Sequence, residues 1–233
     1  MVADPVFGPV WARPGLSRRD RRFVTLTCVC ASESVSQMND HVYAALASGD
    51  ITYDELLEFV LQFAVYCGWP RGSEAEGAVR SQFARLAAER GEDVPPRSDL
   101  PLESLGPTDH GRRLDDGEKC FLDVNLLPPP PRDSPYFQAG ILAFVFGHLW
   151  RRPDLGRRER RLITVAAVGV SGALGPIYSH VGSALESGDI SRSEMDEVIL
   201  QFSAYAGFPK GRVLQKAADD SWQRISASNK EGQ

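Results

Sequence analysis

The sequence of 233 residues lacks most features that mark secreted, membrane or nucleic-acid-binding proteins. Its four cysteines are too few for a disulfide framework, and Cys28-x-Cys30 has no second pair at zinc-ligand spacing, so we expect no metal site. No apolar run approaches the roughly 18 residues that a membrane helix needs. Acidic residues outnumber basic ones by 31 to 26, which disfavours phosphate binding. Residues 1–5 show no signal-peptide pattern. The sequence therefore predicts a cytoplasmic protein without nucleic-acid or membrane partners.

An internal repeat is present at an offset of 139 residues, without gaps. Trp11-x-Arg13-Pro14-x-Leu16 matches residues 150–155, and Leu61-Gln62-Phe63 matches residues 200–202. Over residues 7–72, 30 of 66 positions are identical in the second copy. An identity this high indicates a duplicated unit.

The two copies are joined by an acidic, proline-rich segment. Residues 91–135 hold nine of the sixteen prolines, and ten acids against five bases, so this segment accounts for the whole net charge of −5. Such a composition favours extended or irregular backbone, although Lys119 to Leu122 offers apolar groups for docking on a core. We predict a first repeat at 1–90, a connector at 91–135 that forms an ordered strap, and a second repeat at 136–233.

Within each copy the local signals are helical. Ser17 with Asp20 begins a first helix, and a second helix is predicted from Val35 to Ser48, ending at Gly49. Thr52 with Glu55 has capping-box spacing for a third helix, as does Ser191 with Glu194 in the second copy. Gly68 and Pro70 end the third helix, and a fourth is predicted over about 73–90. No segment alternates with period two, so the predicted fold class is all-α.

The motifs together resemble the carboxymuconolactone decarboxylase family. They are Trp-x-Arg-Pro-x-Leu-x-Arg-Arg, the following apolar helix, His-Val-x-x-Ala-Leu-x-Ser-Gly, and Glu-x-x-Glu-x-x-Leu-Gln-Phe-x-x-Tyr-x-Gly-x-Pro, within residues 6–90 and 136–225. The resemblance implies two tandem alkylhydroperoxidase D-like helical repeats, with sites in pockets between helical units. It also implies a homo-oligomer, either a trimer that forms a pseudo-hexamer or a dimer.

The redox members of this fold carry Cys-x-x-Cys-x-x-x-His. Here the two cysteine positions are Ser34 and Gln37 before His41, and Ala173 and Pro176 before His180. Because peroxide reduction needs a thiolate and a resolving thiol, that mechanism is disfavoured.

The candidate proton-transfer residues are His41 and His180, which match the histidine of the family motif. A histidine has both protonation states available near neutral pH. Glu33 precedes His41 by eight residues and is predicted to orient it. Lone helix histidines are also often structural groups, so both interpretations stay open here.

The candidate anion-binding residues lie in two rows of four arginines that crowd helix N-termini, where the helix dipole disfavours positive charge. We expect Arg22 or Arg161 to hold a substrate carboxylate, and most of the other arginines to form ion pairs with Glu55, Glu58, Glu194 or Glu197, or with another subunit. The two rows are Arg18, Arg19, Arg21 and Arg22, and Arg157, Arg158, Arg160 and Arg161.

Aromatic residues end the third helix of each copy. Tyr66, Trp69 and Tyr205 are predicted to wall a pocket for a cyclic ligand, although core packing explains them equally well. The second copy gains glycines that are expected either to open ligand space or to reflect plain divergence: Gly169, Gly172, Gly175 and Gly182.

These features predict a cofactor-independent acid/base enzyme. Its substrate is expected to be a cyclic small molecule bearing a carboxylate, lactone or ketone, and the reaction a decarboxylation or related lyase, isomerase or cyclase chemistry. One alternative is a non-catalytic member that binds a ligand or a protein. Another is a thiol peroxidase acting through Cys28, Cys30 or Cys67.

Overall fold

A computed structural model describes residues 8–32, 34–94 and 99–231, with side chains to residue 228. The chain divides into two compact units, one formed by the first 93 residues with residues 157–233, and one formed by residues 94–156. The described part is helical and contains no β-strand.

Eight of the helices form the larger unit and follow the repeat. The first four are α1 (Arg18–Ala31), α2 (Val35–Ser48), α3 (Tyr53–Cys67) and α4 (Trp69–Arg90). Their counterparts in the second copy are α6 (Arg157–Ser171), α7 (Leu174–Glu186), α8 (Arg192–Ala206) and α9 (Phe208–Glu231). The intervening helix, α5 (His110–Asn125), belongs to the smaller unit.

Local sequence explains where the helices begin and end. The Ser17 hydroxyl accepts a hydrogen bond from the Asp20 backbone N–H at 3.0 Å. Complete capping boxes begin α3 at Thr52 and Glu55, and α8 at Ser191 and Glu194. Helix α2 ends at Gly49, whose φ of 69° is a left-handed conformation that glycine adopts without strain.

The larger unit is built by interlocking the two copies. Helix α1 packs against α6 and α8, and α3 packs against α6, while α2 and α3 each pack against α4. Phe23, Phe59, Phe63 and Phe202 are fully buried in its core. The core of this unit is therefore shared, because helices of each copy bury their apolar faces against the other.

The smaller unit contains α5, a π-helical segment Tyr136–Phe146, and short 3₁₀ turns at Leu102–Leu105 and Leu149–Arg151. Helix α5 lies directly on the π-helical segment. At Gly117 a Cβ atom would lie 2.0 Å from the Leu142 carbonyl oxygen, so only glycine permits this close approach.

Two expectations from the sequence differ from the structure. Helix α4 begins at Trp69 rather than near 73, because Pro70 fits the first turn of a helix, where its missing N–H costs nothing. The composition of the proline-rich connector favours extended or irregular backbone, yet the segment contains the 16-residue helix α5, capped by the Asp109 side chain. No helix among the described residues is long and apolar enough to span a membrane.

Candidate functional site

The first candidate site joins His41 of the first repeat to Tyr205 of the second. The Tyr205 ring meets the His41 ring edge-on, with ring centroids 5.2 Å apart. Trp11 lies nearly parallel to His41 at 6.4 Å, and its Nε1 donates a hydrogen bond to the Tyr205 hydroxyl at 2.8 Å. The Arg22 guanidinium lies 4.9 Å from the centre of the Trp11 ring. A base, a phenol and a cation therefore meet in one cluster.

Each of these side chains is placed by a different element. His41 lies in the middle of α2, Arg22 on α1, and Tyr205 in the last turn of α8, while Trp11 precedes α1. His41 is buried, and the other three are partly exposed. The cluster thus has a buried imidazole at its base and solvent contact through its outer members.

An equivalent arrangement exists at the positions 139 residues away. Tyr66 of the first repeat meets His180 of the second edge-on at 5.5 Å. Arg161 corresponds to Arg22 and donates from Nε to Asp189 at 2.9 Å. Trp150, the counterpart of Trp11, belongs to the smaller unit, where its ring stacks on Phe146 at 6.1 Å.

Both imidazoles are held neutral at physiological pH. Burial and the nearby Arg22 charge lower the pKa of His41 to about 4, against a smaller opposing effect of Asp40. Burial and Arg161 lower the pKa of His180 to about 3. Each imidazole is thus a base poised beside a guanidinium, and an anion that neutralises the guanidinium will raise the imidazole's pKa.

The Tyr205 phenol stays protonated at neutral pH. Burial raises its pKa, although the hydrogen bond from Trp11 opposes that rise. A neutral phenol next to a neutral imidazole supplies a hydrogen-bond donor without a buried charge.

The outer arginines of each row form ion pairs within their own repeat, and Arg19 and Arg158 also reach Glu159 and Asp20 of the other repeat, at 3.5 Å and 3.1 Å. Arg18 and Arg22 share Asp50, at 2.7 Å and 3.2 Å. Arg19 pairs with Glu55 at 2.7 Å. Their counterparts repeat the pattern, with Arg157 and Arg161 on Asp189, and Arg158 on Glu194. Burial opposes ionisation of Asp50, but hydrogen bonds from Arg18, Ser48 and Arg22 outweigh it and lower the pKa of this carboxyl.

The third arginine of each row is buried and crosses to the other repeat. Arg21 donates to Glu197 at 2.9 Å and to Gln201 at 3.2 Å, and Gln201 in turn donates to Thr25 at 2.9 Å. Arg160 makes the equivalent bonds to Glu58 at 3.3 Å and Gln62 at 3.0 Å. Gln201 lies one helical turn before Tyr205, so this network holds the helix that presents the phenol to His41.

Sequence reasoning missed this network as a positioning element. The predicted ion pairs of the arginine rows with Glu197 and Glu58 are present, but sequence reasoning gave Gln62 and Gln201 no structural role. The same glutamate and glutamine occur at equivalent positions of both copies, and this identity was the signal that could have indicated the network. Buried polar side chains need hydrogen-bond partners.

The comparison with known families identifies the family to which this chain belongs. The model of the carboxymuconolactone decarboxylase family matches residues 5–81 and 135–220, one match in each repeat. The chain belongs to the carboxymuconolactone decarboxylase family.

Two curated proteins that are named as decarboxylases are similar to parts of this chain. A 4-carboxymuconolactone decarboxylase from Acinetobacter baylyi is 32% identical over 89 residues, which are 38% of this chain and 66% of that protein. The nitrosuccinic acid decarboxylase npaB from Metarhizium robertsii is 36% identical over 75 residues, which are 32% of this chain and 52% of that protein. The matched segments thus span about two thirds and one half of these relatives.

Other residues that the sequence singled out lie in different surroundings in this family member. Glu33 lies outside the described residues. Trp69 is 56% exposed, and its counterpart Phe208 is 68% exposed, so neither is buried in a pocket wall. Tyr66 and Tyr205 lie beside different histidines, because each crosses to the other repeat.

The thiols are in surroundings that suppress thiolate formation. Cys28 and Cys30 are buried, and burial raises the pKa of both well above the usual range. Burial also raises the pKa of Cys67, to about 11. The nucleophilic form of these groups is therefore scarce at neutral pH.

Two of the second-copy glycines do not open ligand space, which corrects one expectation. Gly169 lies against Phe202 and Leu214, whose carbons are 2.9 Å from where its Cβ would be. Gly182 is similarly close to Ser221 and Arg224, at 3.2 Å. Neighbouring side chains occupy the space beside both glycines. Among the described residues, no three His, Cys, Asp or Glu side chains are grouped to hold a metal ion.

Proposed function

We propose that this chain is a decarboxylase of small organic acids, acting where a histidine of one repeat meets a tyrosine of the other. The observation that carries the proposal is the His41 cluster, in which an imidazole, a phenol and a guanidinium lie together. Membership of a family whose similar members are named as decarboxylases supports the same reaction type.

The proposed substrate carries a carboxylate whose loss leaves a delocalised carbanion. A lactone, ketone or nitro group next to the departing carboxylate takes up the electron pair of the broken C–C bond. The relatives' substrate names, a carboxylated lactone and nitrosuccinic acid, contain such groups. The site then has to bind an anion, stabilise the developing charge and return one proton to carbon.

The arginine and the histidine divide these tasks. The arginine beside each histidine, Arg22 or Arg161, anchors a substrate carboxylate through charge-assisted hydrogen bonds. Its neutralisation lets the imidazole take a proton from solvent, because burial and the arginine charge are what lower the imidazole's pKa. The imidazolium then protonates the carbanion after carbon dioxide has left. The tyrosine packs edge-on against the ring and fixes its orientation.

Self-association is part of the proposal. Val35 and its counterpart Leu174 are each 60% exposed, and Phe208 is 68% exposed, so both repeats present apolar side chains to solvent. We propose that tandem chains associate through these surfaces as a trimer. Sedimentation equilibrium of the full chain tests this, and a monomer at all concentrations contradicts it.

The reaction is tested by incubating the full chain with 4-carboxymuconolactone and, separately, with nitrosuccinate in deuterated water. The expected result is release of one carbon dioxide per substrate and one solvent deuterium on product carbon. Folded protein that releases no carbon dioxide from either acid contradicts the proposed function. Heat-denatured protein is the control for spontaneous decarboxylation.

A further inference from the structure

The two equivalent sites differ in what surrounds their arginines. Arg161 is fully buried, and its Nη1 donates to the Ser183 hydroxyl at 2.9 Å, in addition to the Asp189 bond from Nε. At the equivalent position to Ser183, the first repeat has Ala44, which offers no acceptor. Arg22 retains 12% exposure of its side chain.

The terminal amino groups of Arg22, Nη1 and Nη2, donate no hydrogen bond to the described part of the chain. Its Nε bonds Asp50 at 3.2 Å and its plane lies over Trp11, but no group in the described part of the chain accepts a hydrogen bond from Nη1 or Nη2. A guanidinium held by its Nε and by an aromatic face keeps its outer edge free for a planar anion.

The local charges also favour an added anion at this edge. Arg18 and Arg22 share the single carboxylate of Asp50, which leaves one positive charge in excess. Asp40 favours the protonated form of His41, but no hydrogen bond or ion pair joins it to Arg22 among the described residues, and Arg22 itself disfavours the protonated imidazole. A carboxylate bound to Nη1 and Nη2 balances this charge and gives both amino groups an acceptor.

We propose that the chain binds one carboxylate ligand, at Arg22, and that Arg161 is retained as a structural counterpart whose donors are occupied by Ser183 and Asp189. This proposal rests on the proposed function, because the carboxylate bound at Arg22 is taken to be the one through which the substrate is anchored. It assigns the reacting site to the His41 side of the duplicated unit.

Calorimetric titration of the full chain with succinate tests the stoichiometry. Succinate has two carboxylates and no group that delocalises a carbanion, so it binds without reacting. The expected result is one site per chain, with affinity reduced roughly tenfold or more in Arg22→Gln, the loss expected for charge-assisted hydrogen bonds. Two equal sites per chain, or no saturable binding, overturns the proposal.

A matched pair of substitutions tests the cause of the asymmetry without removing a charge. Ala44→Ser introduces the hydroxyl that occupies the arginine in the second repeat, and is expected to weaken succinate binding several-fold. Ser183→Ala, at the equivalent position, is expected to leave the affinity of the Arg22 site within about twofold. Equal effects of the two substitutions contradict the assignment.

Histidine NMR gives a readout that is independent of turnover. Succinate is expected to raise the pKa of His41 and leave that of His180 unchanged. A shift at His180, or none at His41, overturns the proposal. Carbon dioxide release combined with equal binding at both arginines rejects this asymmetry but preserves the proposed function. Succinate binding at Arg22 alone, without carbon dioxide release from either acid, supports the asymmetry and rejects the proposed function.

Discussion

Tyr205 lies edge-on against His41 although the two residues come from different repeats, 164 positions apart, with ring centroids 5.2 Å apart. The Trp11 indole connects them, since it lies parallel to His41 and donates to the Tyr205 hydroxyl. Tyr66 and His180 repeat this crossing. Neither repeat alone therefore holds both rings of a histidine–tyrosine pair.

The Tyr205 hydroxyl is expected to matter for turnover more than that of Tyr66. Tyr205→Phe removes the acceptor of the Trp11 hydrogen bond while keeping the ring, and should lower kcat for carbon dioxide release by roughly tenfold, the worth of about one hydrogen bond. Tyr66→Phe is the matched control and should lower it less. Steady-state kinetics of the two folded variants checks this, and the reverse order of effects contradicts it.

The helix boundaries were predictable because their causes are local. Ser17, Thr52, Ser191 and Gly49 act through bonds within a few residues, and the structure confirms each of these helix ends. The 139-residue repeat likewise needed only self-comparison. The helix ends could be predicted because residues next to them in the chain, rather than residues of the other repeat, determine them.

The crossing of the repeats was not predictable from local signals. The sequence offers Glu33, eight residues before His41, as a group that orients the imidazole, and gives no sign that Tyr205 of the other repeat lies against the His41 ring. Similarly, Arg21 and Arg22 are adjacent, yet one enters a buried network and the other reaches the site. Which face of α1 meets α8 is decided by tertiary packing, which helical periodicity leaves open.

The buried imidazoles are expected to make the fold sensitive to acid. Both have folded pKa values below the unfolded value of about 6.5, so the unfolded state binds protons first as pH falls. Their contribution to the free energy of unfolding is therefore complete above about pH 6.5 and is lost progressively toward pH 4 and below, by a few kcal/mol in total. Urea denaturation at pH 7, 6 and 5 measures this loss.

Histidine substitution separates this effect from the carboxylates. The acidic groups with shifted pKa values, such as Asp50 and Glu197, have pKa values lowered from ordinary carboxyl values and lose their contribution only at more acidic pH. Between pH 6.5 and 5, a His41→Gln, His180→Gln variant should therefore show a flatter dependence than the natural chain. An identical slope in both proteins contradicts the buried neutral imidazoles.

The network around Arg21 is expected to be a main support of the shared core. Glu197→Ala removes the carboxylate 2.9 Å from the fully buried Arg21 and should lower the free energy of unfolding by about 3–5 kcal/mol. Lys216→Ala removes an exposed ion pair with Asp220 and should cost less than about 1 kcal/mol. Urea unfolding of both variants at pH 7 makes the comparison, and similar losses contradict the role of the network.

The rate of carbon dioxide release from 4-carboxymuconolactone, measured for His41→Asn, His180→Asn and the double variant, tests the central claim most directly. Asparagine keeps a polar side chain of similar reach but cannot carry the proton. We predict that the double variant, with its fold verified by circular dichroism, loses at least about 100-fold in kcat, as expected for removal of an acid/base group, and that His41→Asn accounts for most of this loss. A folded double variant that releases carbon dioxide at the rate of the natural chain would contradict the account.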